Sequence, residues 1–217
     1  MFTGIVEEKG IVKQISKKGN SLSLTIKGST VTSDVHNGDS IAVNGVCLTV
    51  TDFGTEWFSV DVIPETFRGS SLAKLDVGKQ VNLERAMSAN GRFGGHFVSG
   101  HIDTTGVIKR IWEEDNARYV EVSVSQEGLS FIARKGSICV DGTSLTVFGF
   151  TESSFIISLI PETRNATIIG DKRQGDLVNV EYDMLAKYMA RLLDFKSHPI
   201  EKSNGELTID KLRDYGF

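Results

Sequence analysis

At 217 residues, with 40% hydrophobic and 24% charged side chains, the chain has the composition of an ordinary globular protein with room for one large core or two small ones. A formal charge of -4, with basic runs no longer than pairs such as Lys17-Lys18 and Lys172-Arg173, excludes the clustered cations that phosphate backbones need, so no nucleic-acid partner is expected. No run of about eighteen apolar residues occurs, and "MFTGIVEEKG" lacks the basic, apolar and small-residue parts of a signal peptide, so no membrane partner and a cytoplasmic location are expected.

The chain repeats itself. "SIAVNGVCLTVTDFGTEWFSVDVIPET", from Ser40, aligns without a gap on "SICVDGTSLTVFGFTESSFIISLIPET", from Ser137, and the register continues to "VNLE" at Val81 against "VNVE" at Val178. "TGIVEEKGIV" from Thr3 likewise matches "SGHIDTTGVI" from Ser99. The copies are expected to meet around Ala89 to Gly95, where Asn90-Gly91 and Gly94-Gly95 break regular structure. This divides the chain into residues 1–96, 97–183 and a remainder, 184–217.

Within each copy the elements read as short strands. Asn44-Gly45 and Asp141-Gly142 accept positive φ at both central turn positions and so predict two-residue hairpins. "WFSVDVI" then alternates Phe58, Val60 and Val62 against Ser59 and Asp61, as a strand with one buried face should. Many short strands with frequent turns predict a small closed barrel in each half, an all-β class. The tail differs: from Asp183 to Phe195 a capping Asp precedes Leu185, Met189 and Leu192 on one stripe, with Met184, Tyr188 and Leu193 beside it. That helix packs either on its own barrels or on sister helices in an oligomer. "KSHPIEKSNGE" follows as a polar stretch, and "LTIDKLRDYGF" predicts a short terminal helix.

Cys47 and Ser144 occupy equivalent positions just after the two hairpin turns. A buried cysteine is commonly only a small hydrophobe, but a thiol and a hydroxyl share hydrogen-bonding ability, which favours a polar contact there. Cys139 has Ala42 as its repeat partner, so the repeat supplies no matched disulfide pair and both thiols are expected reduced. Thr49 and Thr146 face the same way one alternation on, although threonine is also a favoured strand residue. "IPET" occurs at Ile63 to Thr66 and again at Ile160 to Thr163; it suits a strand exit, and its backbone groups also suit the imide edge of a planar heterocycle. His96 and His101, five apart near Asp103, lack the spacing of a metal site and point instead to proton transfer by one histidine; no metal is expected.

Together "MFTGIV", "NGVCLTV", "GGHFVSGHID", "DGTSLTV" and both "IPET" segments resemble the riboflavin synthase family over roughly Met1 to Asp183. The resemblance implies two tandem Greek-key β-barrels followed by a C-terminal α-helix that assembles a homotrimer. It implies a transferase reaction in which one 6,7-dimethyl-8-ribityllumazine donates a four-carbon unit to another, with no cofactor. It also brings lumazine synthase into view as a partner without deciding that association. By resemblance, one pocket uses Gly4, Ile5, Val6, Cys47, Leu48, Thr49, Asp61, Val62, Ile63, Pro64, Glu65 and Thr66. The other uses Gly100, His101, Ile102, Ser144, Leu145, Thr146, Ser158, Leu159, Ile160, Pro161, Glu162 and Thr163. Lys135 matches a position that reaches a neighbouring chain's site, and Cys47, Ser144, Thr146, Phe2, His101 and Asp183 are the implied catalytic set. The rival from another class is a lumazine-binding protein without turnover, which would have lost some of these residues. A flavin-dependent reductase is a weaker third reading, because no Gly-rich dinucleotide fingerprint is present.

Overall fold

The computed structural model describes residues 1–18, 21–197, 213 and 216. The predicted terminal helix from Leu207 to Phe217 therefore lies, apart from Arg213 and Gly216, outside the described residues. In the first repeat β1 (Glu8–Lys18), β2 (Ser21–Lys27), β3 (Ser40–Val43), β4 (Val46–Gly54), β5 (Trp57–Val62) and β6 (Gln80–Arg85) close a barrel in the order β1-β2-β5-β4-β3-β6. The second repeat forms β7 (Thr104–Glu114), β8 (Ala117–Ser123), β9 (Ser137–Val140), β10 (Thr143–Phe150), β11 (Ser154–Leu159) and β12 (Leu177–Tyr182), closed with the same cyclic neighbours. Every pairing is antiparallel. Even the irregularities repeat: β4 shifts register between Val50 and Asp52, and β10 between Val147 and Gly149.

Alternation drives closure, because each strand turns one face of β-branched and aromatic residues inward while full closure leaves no unpaired edge. Leu24, Ile41, Phe58 and Leu83 fill the first barrel, and Ile108, Ile138, Phe155 and Ile157 the second, all essentially without exposure. Each such side chain contributes about 1.5–3 kcal/mol of burial free energy.

The two barrels meet about an approximate two-fold relation. Asn44 (φ 48) with Gly45 (φ 80), and Asp141 (φ 44) with Gly142 (φ 79), take the predicted left-handed turn conformations. These turns also touch: a Cβ on Gly45 would lie 2.7 Å from the Gly142 nitrogen, so both glycines are needed for the approach as well as the φ. Around them the Asn82 side-chain amide donates to Asp141 O (2.8 Å), and that of Asn179 donates to Asn44 O (2.8 Å). Their carbonyls accept from Ile168 N–H (2.8 Å) and Ser71 N–H (2.6 Å), so both buried amides are paired across the interface.

A third small core lies between the barrels: Phe2, Ala42, Val98 and Cys139, with Cys47 packed against it. Phe2 and Val98 form an antiparallel bridge, each N–H donating to the other's carbonyl (2.8 and 3.2 Å). The boundary near residue 96 thus falls within a segment that pairs with the chain's opening residues.

The short helices α1 (Pro64–Arg68), α2 (Gln126–Leu129) and α3 (Pro161–Ala166) are followed by α4 (Met184–Ser197), which begins at Asp183, whose side chain accepts from Leu185 N–H at 2.9 Å. Lys187 ties it to Asp103 at 2.9 Å. Of the two packings open from sequence, the stripe does not lie on its own barrels: Leu185, Tyr188, Met189 and Leu192 are 61–65% exposed.

Candidate functional site

Strand alternation sorts the candidate residues. Cys47 and Thr49 on β4, and Ser144 and Thr146 on β10, face out of their barrels; Leu48 and Leu145 between them point into the cores. The tight hairpins fix this register, pairing Ala42 with Cys47 and Cys139 with Ser144. Asp61 and Ser158 also face outward, whereas Val62 and Leu159 are core residues at 1% exposure. Leu48, Val62, Leu145 and Leu159 are therefore barrel filling, and only their backbone is available to a ligand. After each strand comes the repeated exit: Ile63 and Ile160 stand 63% and 58% exposed, and Pro64 and Pro161 start the short helices α1 (Pro64–Arg68) and α3 (Pro161–Ala166).

Pairing between β4 and β5 begins only at Val50, and between β10 and β11 only at Val147, so the sheet is split beside Cys47 and beside Ser144. Into each split comes the leading segment of the other repeat. Cys47 N–H donates to Gly100 O at 2.8 Å, and Ser144 N–H donates to Gly4 O at 2.7 Å. The structure departs from the pocket grouping drawn from the resemblance: the segment that carries Gly4 lies beside Ser144, and Gly100, His101 and Ile102 lie beside Cys47. The physical reason is that an open strand N–H needs an acceptor, and the segment that supplies it arrives from the opposite barrel, which one-dimensional repeat alignment cannot reveal.

Two buried carboxylates hold the exchanged segments. Glu84 accepts from Thr3 N–H (2.7 Å), Thr3 Oγ1–H (2.8 Å) and Gly4 N–H (3.1 Å). Glu181 accepts from Ser99 N–H (2.6 Å), Ser99 Oγ–H (2.7 Å) and Gly100 N–H (2.9 Å). Burial raises the Glu84 pKa above the usual carboxylate value, against the lowering effect of the Thr3 and Gly4 donors. Neither glutamate stands out from the sequence except as the last letter of "VNLE" and "VNVE".

A cavity of about 340 Å³ opens over Cys47, lined by Ile63, Glu65, Thr66, Gly100, His101 and Ile102 among others. Both repeats contribute to it. His101 is exposed at this site, its N–H donating to Ser99 Oγ at 3.2 Å. A larger hollow of about 790 Å³ lies between α4 and the second barrel, but it contains neither Cys47, Ser144 nor either repeated tetrapeptide. Cys47 is half-buried and free; Cys139 is fully buried, and burial pushes its thiol pKa well up, which leaves it a packing residue.

The second site differs in its surroundings. His96, only 8% exposed, places Nδ1 2.7 Å from Ser144 Oγ. Burial lowers its pKa, and the charge of Asp183 partly opposes that. Outward from Ser158 the sheet continues to Tyr119 and then Trp112, whose rings stack at 5.2 Å, with Phe148 edge-on to Tyr119 at 5.3 Å. Arg110 lies 4.7 Å from the Trp112 ring centre and Lys135 4.4 Å from that of Phe148. Equivalent pairings in the first barrel join Asp61 to Ser23 and Ser23 to Ser16. The sequence does not reveal this aromatic shelf, because its rings sit on three strands of no special motif. Among the described residues no group of three or more His, Cys, Asp or Glu side chains is arranged to hold a metal ion. No described helix is long and apolar enough to cross a membrane.

A lumazine binding domain model matches the chain twice, at residues 3–86 and 99–183. Riboflavin synthase of Bacillus subtilis (strain 168) is 52% identical over the whole of both chains. Riboflavin synthase of Actinobacillus pleuropneumoniae is 47% identical, again over the whole of both. Among solved structures, the LumP complex with riboflavin superposes with a TM-score of 0.77 at 26% identity, covering 84% of this chain and 99% of that one. The LumP complex with 6,7-dimethyl-8-(1'-D-ribityl) lumazine gives 0.75 at 25% identity, covering 83% and 98%.

Proposed function

We infer that this chain, which belongs to the riboflavin synthase family, is a transferase that converts two molecules of 6,7-dimethyl-8-ribityllumazine to one riboflavin and one 5-amino-6-ribitylaminopyrimidinedione. The observation that carries the reading is full-length identity of 52% to a riboflavin synthase, with both copies of the lumazine binding domain intact. The binding-only alternative is not favoured: the LumP structures share the fold at 25–26% identity, about half the identity to the enzymes.

The geometry suits a reaction that consumes two identical rings. Each split in a barrel wall offers an outward Thr, a thiol or hydroxyl, and an exit segment whose backbone groups match an imide edge. The C7 methyl of the lumazine is acidic because its anion delocalises over the ring. The protein's share is then to hold two rings in register and to stabilise the anion, and orientation is the larger contribution. Four carbons leave one ring system and complete the other, so no external oxidant or reductant is needed. We assign substrate contact to Cys47, Thr49, Thr66, His101 and Ile102 in one pocket, and to Gly4, Ile5, Ser144, Thr146 and Thr163 in the other.

The direct test is to supply dimethylribityllumazine alone to the purified chain. Two lumazines should disappear per riboflavin formed, with equimolar pyrimidinedione, and a chelator should change nothing. Tight binding with no riboflavin would place the chain with the binding proteins instead.

We also propose a homotrimer built through α4, in a cytoplasmic setting that suits two free thiols. The outward stripe of Leu185, Tyr188, Met189 and Leu192 supports the assembly. Truncation after Asp183 should yield smaller particles in sedimentation and reduced turnover while ligand still binds. An unchanged particle with full activity would refute the role of the helix.

Lys135 supports the same reading. It holds φ 67 and donates its N–H to Val147 O at 2.8 Å, where the first repeat has Gly38 at φ 94 donating to Val50 O at 2.9 Å. A non-glycine residue there costs roughly 1–2 kcal/mol, a strain retained for its side chain, which we assign to a neighbouring subunit's pocket. Lys135→Gly should therefore raise the melting temperature by a few degrees, about 2–4 °C per kcal/mol at this size, and lower turnover. A variant that is both more stable and fully active would remove Lys135 from the site.

A further inference from the structure

The histidine buried against Ser144 is unexplained by the two-pocket scheme alone. His96 is held by its own N–H, which donates to Thr3 O at 3.1 Å, and its Nδ1 lies 2.7 Å from Ser144 Oγ. Gly95 makes the approach feasible: a Cβ there would collide with Thr3 O and lie 2.9 Å from Ser144 Cβ and 3.0 Å from Ser144 Oγ. His96 Nε2 is buried and has no hydrogen-bond partner among the described residues. Leaving a buried polar atom unpaired costs about 1–3 kcal/mol, so the ring is kept for the bond made by its other nitrogen. Among the described residues no imidazole bonds to Cys47, the equivalent position of the first repeat.

We propose that His96 is the positioning residue of the second-repeat pocket, fixing the rotamer and hydrogen-bonding direction of the Ser144 hydroxyl so that Oγ meets the bound lumazine in one orientation. A serine hydroxyl rotates freely and carries one donor and two acceptor directions. Engaging one of them with a buried, immobile ring leaves the others aimed at the ligand. In this way a hydroxyl is directed by a partner in one pocket, while the polarisable thiol of the other has none among the described residues. The inference rests on the riboflavin synthase reading above, and it gives a physical content to the exchange of Cys47 for Ser144.

The test is a double-mutant cycle with a conservative rescue. His96→Phe keeps a ring and removes the bond; His96→Asn keeps a polar atom near the Nδ1 position. His96→Phe and Ser144→Ala should each lower kcat about tenfold or more with riboflavin affinity within about threefold. The double variant should be no slower than Ser144→Ala alone, and His96→Asn should recover most of the rate. Multiplying losses in the double variant, an unimpaired His96→Phe, or a folded His96→Asn as slow as His96→Phe would each overturn the proposal. Should His96→Phe fail to fold, the imidazole NMR signals of His96 in wild type and Ser144→Ala decide it, since loss of the bond must shift Nδ1. Unchanged signals would sink the inference whatever the turnover. A shift in a protein that makes no riboflavin would instead keep the bond and reject the enzymatic reading.

Discussion

Phe2→Ala is expected to lower turnover by about 100-fold or more, equivalent to about 2.7 kcal/mol, while both barrels remain folded. Phe2 has no exposure and sits in the small core between the barrels, apart from the two barrel interiors. Removing a buried benzyl group costs about 3–5 kcal/mol, and here the loss falls on the junction. Its backbone is bridged to Val98. Two residues further along each segment lie Gly4, which accepts from Ser144 N–H, and Gly100, which accepts from Cys47 N–H. One side chain on the approximate two-fold thus supports both pockets. Circular dichroism should stay native-like, lumazine binding should weaken at both sites, and rates should collapse. Deleting Phe2 outright should do at least as much, because only Met1 is then left ahead of Thr3 to reach the junction. A folded Phe2→Ala protein with turnover near wild type would show that the segment is held well enough by Glu84 and Glu181 alone.

The duplication, the strand character and the hairpins are legible in the sequence because they depend on local pattern: Asn44-Gly45 and Asp141-Gly142 leave few conformations open, and alternation in "WFSVDVI" assigns its faces. The outward pairs Cys47 with Thr49 and Ser144 with Thr146 follow from the same alternation. The exchange of leading segments is not legible. Gly4 and Gly100 are chemically identical letters in equivalent positions, and only the splits beside Cys47 and Ser144 decide which barrel each joins. A contiguous motif such as "CLT" also includes Leu48, whose side chain alternation sends into the core while its backbone stays on the pocket wall. His96 differs again: it lies five residues from His101, and burial against Ser144 rather than spacing separates their roles. The apolar stripe of α4 was open between two packings because amphipathicity says that a face is covered without saying by what.

Gly4→Ala and Gly100→Ala should each lower turnover by about 100-fold or more, and they read the exchange directly because they act on opposite pockets. Gly4 holds φ +76 and Gly100 φ +84, where a side chain costs about 1–2 kcal/mol before any contact is counted. Space is also lacking: a Cβ on Gly4 would lie 2.7 Å from Ser144 Cβ and 2.8 Å from Ser144 N, and one on Gly100 would lie 2.5 Å from Cys47 Cβ. These neighbours are backbone or the first side-chain atom and cannot swing aside, so the segment must lift out of the split. Either variant should then bind one lumazine per chain instead of two, and a dismutation that needs both rings fails. Thiol labelling separates them. Cys47 is half-buried and free, whereas Cys139 is sealed, so the native protein should react once with iodoacetamide, at Cys47. Gly100→Ala should change that rate several-fold as its segment leaves Cys47, and Gly4→Ala should change it less, because that segment reaches Cys47 only through Phe2. The reverse order, with Gly4→Ala altering Cys47 labelling more than Gly100→Ala does, would mean that each repeat completes its own pocket, and the exchanged geometry would be wrong.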